Sequence, residues 1–299
     1  MFEATIDVFW LITVTMLTAF GLAVIFGMLK VMNMAHGEFI TIGAYSVVLI
    51  DQTGLPWAVG VAVAGIVAAL VGLCIERGIV RHFYDRPFDT LLATWGISLV
   101  LRELLEIIFG RGYRNVSPPI DGMMPLSFAS DAGYPAWRLM VMAIMILAAI
   151  IGWLWYRRSR VGLLVAATVE NPVLARSLGM STGKIKTGVF MVGAASGGIA
   201  GALLSPGLRI DPLIGLDYLI SSFLALVIGG VGSILGFVFG AGFVGLTNGA
   251  VAQLAGPTNG YVALLVLAII VMWRFPSGLI GLLQSRRSQF QLAKINDDD

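Results

Sequence analysis

Apolar runs follow one another along this chain almost without a break, separated by short polar joints. A bilayer core is crossed by about 20 mostly apolar helical residues. Nine runs approach that length: Asp7–Met28, Phe39–Ile50, Trp57–Ile75, Thr90–Phe109, Trp137–Tyr156, Thr187–Leu204, Leu219–Gly229, Ile234–Leu254 and Tyr261–Phe275. The second and seventh are short. Either glycine-rich neighbours complete them or they are broken or re-entrant helices, so the count lies between eight and ten. The expected fold is all-α: a polytopic transmembrane helix bundle of about nine spans, with residues 1–299 forming a single transmembrane domain.

The joints differ in character. Residues 110–136 contain Pro118, Pro119, Pro125 and Pro135 and read as an irregular loop. Residues 157–186 form the largest polar connection, and it is not irregular. Asn171 suits a helix N-cap, Pro172 the first helical position and Gly179 the stop, which predicts a short helix over Pro172–Leu178. Small residues crowd Val192–Gly207 and Gly229–Gly245. Such residues let transmembrane helices approach closely, so a tight many-helix bundle is expected.

Composition turns these runs into membrane spans. Hydrophobic residues make up 58% of the chain, charged residues 12%, and mean hydropathy is +0.91. A soluble domain carries roughly twice that charge, so the surrounding solvent must be membrane lipid. Lys and Arg concentrate on alternate joints: Lys30, Arg77 to Arg86, Arg157 to Lys186, and Arg274 to Lys294. Cytoplasmic loops are enriched in these residues. The N-terminus is therefore expected outside and the C-terminus in the cytoplasm, with 157–186 an inner loop and 110–136 an outer one. The first six residues hold Glu3 and no basic residue. That flank does not fit a cleavable signal, so the first run is expected to be retained. A net charge of +2 with no long basic tract gives no reason to expect a nucleic-acid partner.

Candidate chemistry is sparse. Cys74 stands alone, which excludes an intramolecular disulfide and a Cys-based metal site. No HExxH or GxSxG occurs, and only two histidines exist, His36 and His82. The fragment Gly179–Ile185 falls short of a phosphate loop, having three residues between its glycines and Ile185 where a magnesium-binding hydroxyl is needed. Neither an enzyme nor a cofactor is expected, and any ATP hydrolysis belongs to separate subunits.

Two polar groups interrupt the apolar runs. Asn33, His36 and Glu38 lie between the first and second. They form either a hydrated turn at the membrane edge or a broken helix beside a substrate path. Arg102, Glu103 and Glu106 lie in the fourth. Arg102 and Glu106 are spaced to pair on one helix face, while the alternative puts Arg102 or Glu103 on the path.

The segments Asn33–Tyr45, Gly162–Leu204 and Ala225–Gly245 together resemble the H-type permease subunits of branched-chain amino acid importers driven by ATP-binding cassettes. The resemblance runs from about Asp7 to Leu283. It implies a multi-pass protein of the bacterial inner membrane. Implied partners are an M-type permease in a heterodimer, two cytoplasmic ATPase subunits and a periplasmic substrate-binding protein. It also implies that the helix in the inner loop docks on an ATPase, with Glu170, Asn171, Ala175, Arg176 and Gly179 as matching residues. Ala166 stands where the family often has arginine. Thr90–Leu101 is closer to the branch that carries urea or short amides. Outside these classes, a self-sufficient secondary transporter or channel remains the alternative.

Overall fold

The computed structural model describes residues 2–125, 133–230 and 234–274. Each of the nine apolar runs lies in a helix, within those limits. They are α1 (Phe2–Leu29), α2 (His36–Asp51), α3 (Trp57–Gly78), α4 (Pro87–Phe109), α5 (Ala136–Arg158), α8 (Thr182–Leu204), α9 (Ile214–Gly229), α10 (Ile234–Ala255) and α11 (Pro257–Arg274). Two further helices, α6 (Arg160–Glu170) and α7 (Pro172–Ser177), occupy the inner loop. Phe275, the basic residues Arg286, Arg287 and Lys294, and Val231–Ser233 of the second glycine-rich run lie outside the described residues.

Five helical stretches are long and apolar enough to cross a membrane: Thr5–Leu29, Trp57–His82, Ala136–Arg158, Thr182–Gly207 and Gly236–Ala255. Ile214–Gly229 and Thr258–Val271 are apolar but shorter. The remaining two, α2 and α4, fail for different reasons. α2 has only 16 residues, and α4 carries Arg102, Glu103 and Glu106. Among the described residues, length and apolarity alone therefore give five candidate crossings, fewer than the nine expected.

The chain divides into two compact units, one of Phe20–Leu219 and one drawn from Met1–Ala19 and Ile220–Asp299. In the first, α2, α3 and α8 pack most extensively. From His36 to Val48, α2 is buried throughout. Glycines set the approach. A Cβ at Gly43 would strike the Gly198 carbonyl, and one at Gly201 the Ile40 carbonyl. Helix association in lipid rests on such van der Waals contact. Phe39, Tyr45 and Phe190 fill what remains.

The join between α1 and α2 is unusual. The His36 ring faces Gly21 of α1, where an added Cβ would lie 2.7 Å from its Cε1. Yet α1 continues eight residues beyond Gly21, about 12 Å at 1.5 Å per residue. After α1 ends, Lys30 adopts a left-handed φ of 58°, and residues 30–35 climb back without helical structure. α2 therefore begins inside the bundle and spans about 24 Å, short of a core of about 30 Å. His36 and Glu38 are both buried, so the hydrated turn is overturned. Within lipid, non-helical backbone is tolerated only where protein covers it. Here the Thr94 hydroxyl accepts from the Met34 N–H at 3.1 Å and faces the Met32 carbonyl at 3.3 Å. Asn33 Oδ1 accepts from the Ala35 N–H at 3.1 Å.

Residues 126–132 of the expected loop 110–136 lie outside the described residues, and the described part carries two short strands. β1 (Met123–Pro125) and β2 (Gly133–Pro135) pair antiparallel, Met124 opposite Tyr134. Arg114 and Ile210 exchange backbone hydrogen bonds at 2.9 Å, which ties this loop to the segment before α9. In the other unit α10 packs on α11. Gly245 and Gly249 of α10 lie against Ile12 and Val8 of α1, and Gln253 Nε2 donates to Asp7 Oδ2 at 3.2 Å.

Candidate functional site

Thr90, Thr94, Ser98 and Arg102 recur every four residues along α4, so they share one face of the helix. That face is turned inward: Thr90, Thr94 and Ser98 are buried, while Leu92, Trp95, Leu99 and Ile107 are exposed. α4 is thus polar within and apolar without, as a helix between lipid and a polar interior must be.

This face meets the broken start of α2. Ser98 Oγ donates to Glu38 Oε1 at 2.8 Å, and Arg102 Nη2 donates to the same oxygen at 3.1 Å. The Glu38 side chain is 1% exposed and that of Arg102 17%. Among the described residues, Glu38 Oε2, Arg102 Nε and Asn33 Nδ2 are buried without a hydrogen-bond partner. The arrangement holds a buried Glu38–Arg102 pair in which one carboxylate oxygen and one guanidinium nitrogen remain without a partner.

The expected Arg102–Glu106 pair does not form. Arg102 turns to Glu38, and Glu106 instead accepts from Arg111 Nε. A buried carboxylate without a counter-charge costs several kcal/mol, so the long guanidinium stem goes where the need is greatest. Glu106, at the exposed end of α4, takes the exposed Arg111. Of the five candidates, Glu38 and Arg102 meet, while Asn33 is buried in the turn before α2 and accepts from the Ala35 N–H. His36 is fully buried, with its ring edge-on to Phe39 at 6.3 Å, and is packed between glycines rather than lining an opening. Glu103 is exposed, away from the pair. Thr94 and Ser98 escaped notice in the sequence, although their four-residue spacing with Arg102 was there to be read.

The inner loop forms a second device. Ser159 caps α6 by accepting from the Gly162 N–H at 2.9 Å, and Asn171 caps α7 by accepting from the Leu174 N–H at 2.9 Å. α7 ends in a Schellman turn. The Met180 N–H donates to the Ala175 carbonyl at 3.1 Å and the Gly179 N–H to the Arg176 carbonyl at 3.0 Å, with Gly179 at φ 82°. The predicted helix is therefore present, one residue shorter than expected, and preceded by an unpredicted partner. Ala175 is buried, whereas Glu170, Asn171, Arg176 and Gly179 are exposed. Beside them Val173, Leu174 and Leu178 are 70%, 55% and 73% exposed.

Fold and apolar helices together point to a multi-pass α-helical membrane protein with a helical connection between α5 and α8. Comparison with known proteins supplies the family. The chain belongs to the family described as branched-chain amino acid transport system, permease component, which matches residues 4–273. It is similar to the high-affinity branched-chain amino acid transport system permease protein LivH of Salmonella typhimurium, 28% identical over 89% of this chain and 90% of that protein. The permease protein BraD of Pseudomonas aeruginosa is 26% identical over 89% and 91%. LivM of Escherichia coli is 25% identical over 93% of this chain and 70% of its own length. No solved structure matches significantly. These relatives give the urea or short-amide reading of Thr90–Leu101 no support; the segment instead carries the inward polar face of α4.

Proposed function

We propose that this chain is the H-type permease subunit of an ATP-driven importer of branched-chain amino acids. It works as one transmembrane domain in the bacterial inner membrane, with about nine spans, the N-terminus outside and the C-terminus in the cytoplasm. An M-type permease pairs with it, two cytoplasmic ATPases drive it, and a periplasmic binding protein delivers substrate. The carrying observation is the α6–α7 element. It is stiff because both helices have side-chain caps, and it exposes Val173, Leu174 and Leu178 beside Arg176. An exposed apolar tip beside a cation on a capped helix suits a groove on a partner that must grip the permease and push it.

The broken start of α2 supports a substrate path beside Asn33, Glu38 and Arg102. Rocking of α4 against α2 would expose their uncommitted polar atoms to a zwitterionic amino acid in passing.

Reconstitution tests the reading. The chain is co-expressed with an M-type permease, ATPases and binding protein of the same importer class, and placed in vesicles. ATP-dependent uptake of labelled leucine, isoleucine or valine is expected, with none of acetamide. Uptake by this chain alone, driven by an ion gradient, would overturn the reading in favour of a secondary transporter.

A further inference from the structure

Glu76 sits in the last turn of α3 and is 2% exposed. Both of its carboxylate oxygens are engaged. Oε1 accepts from the Tyr84 hydroxyl at 2.9 Å and Oε2 from the Thr187 hydroxyl at 2.9 Å. Tyr84 belongs to the connector 79–86 between α3 and α4, and Thr187 to the second turn of α8. The end of α3, the connector that follows it, and α8, 111 residues further on, thus meet on one buried carboxylate. Removing either donor leaves a carboxylate oxygen buried and unsatisfied, which is costly.

The neighbourhood extends this contact toward the inner loop. The Lys186 ammonium stands 4.6 Å from the Tyr84 ring centroid, within cation–π range. Burial, and then the hydrogen bond to Glu76, push the Tyr84 hydroxyl above the usual tyrosine range, so it persists as a donor. Lys186 also lines a cleft of about 110 Å³ whose other walls include Val165 and Val169 of α6 and Pro172 of α7. Both α6 and α7 touch α8. Behind the carboxylate, α3 and α8 run together with Gly72 against Ala194 and Gly198 against Ala68.

We propose that Glu76, Tyr84 and Thr187 form a force-transmitting node for transport. They join the cytoplasmic ends of α3 and α8 and the connector 79–86 into one body. A displacement of α6–α7 then reaches the α2–α3–α8 core instead of being absorbed by a bend in the first turns of α8. The three are positioning residues, since they act by holding one another and the segments that carry them. The proposal rests on the reading of the chain as an ATP-driven permease.

The test uses the complete transporter in vesicles with its binding protein, measuring labelled leucine uptake and ATP hydrolysis in the same preparation. Tyr84→Phe and Thr187→Val are expected to lower uptake per ATP about fivefold or more, while ATPase stimulation by the binding protein persists. Thr187→Ser keeps the hydroxyl and is expected to restore the ratio. If Tyr84→Phe does not assemble, Thr187→Val against Thr187→Ser carries the same comparison. An unchanged ratio in assembled variants overturns the node and leaves the importer reading intact. Parallel loss of uptake and ATPase, with no rescue by serine, marks a merely structural contact and also overturns it. Wild-type complex without ATP-dependent uptake overturns both.

Discussion

At the scale of single residues, the energetics are governed by charges that lipid cannot solvate. Glu38 is held by Ser98 and Arg102, and removing one member of a buried ion pair costs more than removing both, by about 3–5 kcal/mol for the broken pair. Arg102→Gln, which strands the Glu38 carboxylate, is therefore expected to destabilise the protein strongly. Glu38→Gln combined with Arg102→Gln is expected to recover much of the loss. Thermal denaturation of both variants in nanodiscs decides this; a double variant no better than Arg102→Gln alone would show that the pair carries no mutual dependence. The partner of Arg102 was not legible in the sequence. Glu106 and Glu38 are both reachable for a guanidinium, and only the packing of α4 on α2 selects between them.

At the scale of elements, α7 is specified almost entirely by local chemistry. Asn171 supplies the cap, Pro172 has no N–H to satisfy, and Gly179 takes the left-handed turn. A β-branched residue at Gly179 would pay about 1–2 kcal/mol for that conformation, whereas asparagine visits it readily. Gly179→Val is expected to reduce substrate-stimulated ATPase activity and uptake severalfold, with Gly179→Asn close to wild type. Equal activity in both variants would remove the inner loop from the coupling mechanism. α2 shows the opposite case. Its run reads only as a short apolar segment, because nothing in Phe39–Ile50 states at what depth the helix begins. That depth follows from the return of residues 30–35 and from the contact of His36 with Gly21 and Gly197.

At the scale of the whole molecule, orientation is the testable quantity. The basic joints predict Thr53 outside and Leu174 inside. In a Cys74→Ala background, Thr53→Cys is expected to react with a membrane-impermeant maleimide on intact cells. Leu174→Cys is expected to react only after permeabilisation. The reverse pattern would invert the topology. The inward stripe Thr90–Thr94–Ser98–Arg102 gives the two faces of α4 different surroundings, and its exposed apolar side is suited to lipid.

Sequence by itself determined the nine helical runs, the membrane as solvent, the α7 helix and the membership suggested by its motifs. All of these depend on composition and on residues within a few positions of one another. Tertiary structure decided that α2 starts inside the bundle, that Glu38 takes Arg102, and that Glu76 gathers Tyr84 and Thr187. Each of these depends on side chains 8 to 111 positions apart. Their meeting is set by where glycines let helices touch, and no local pattern encodes that distance.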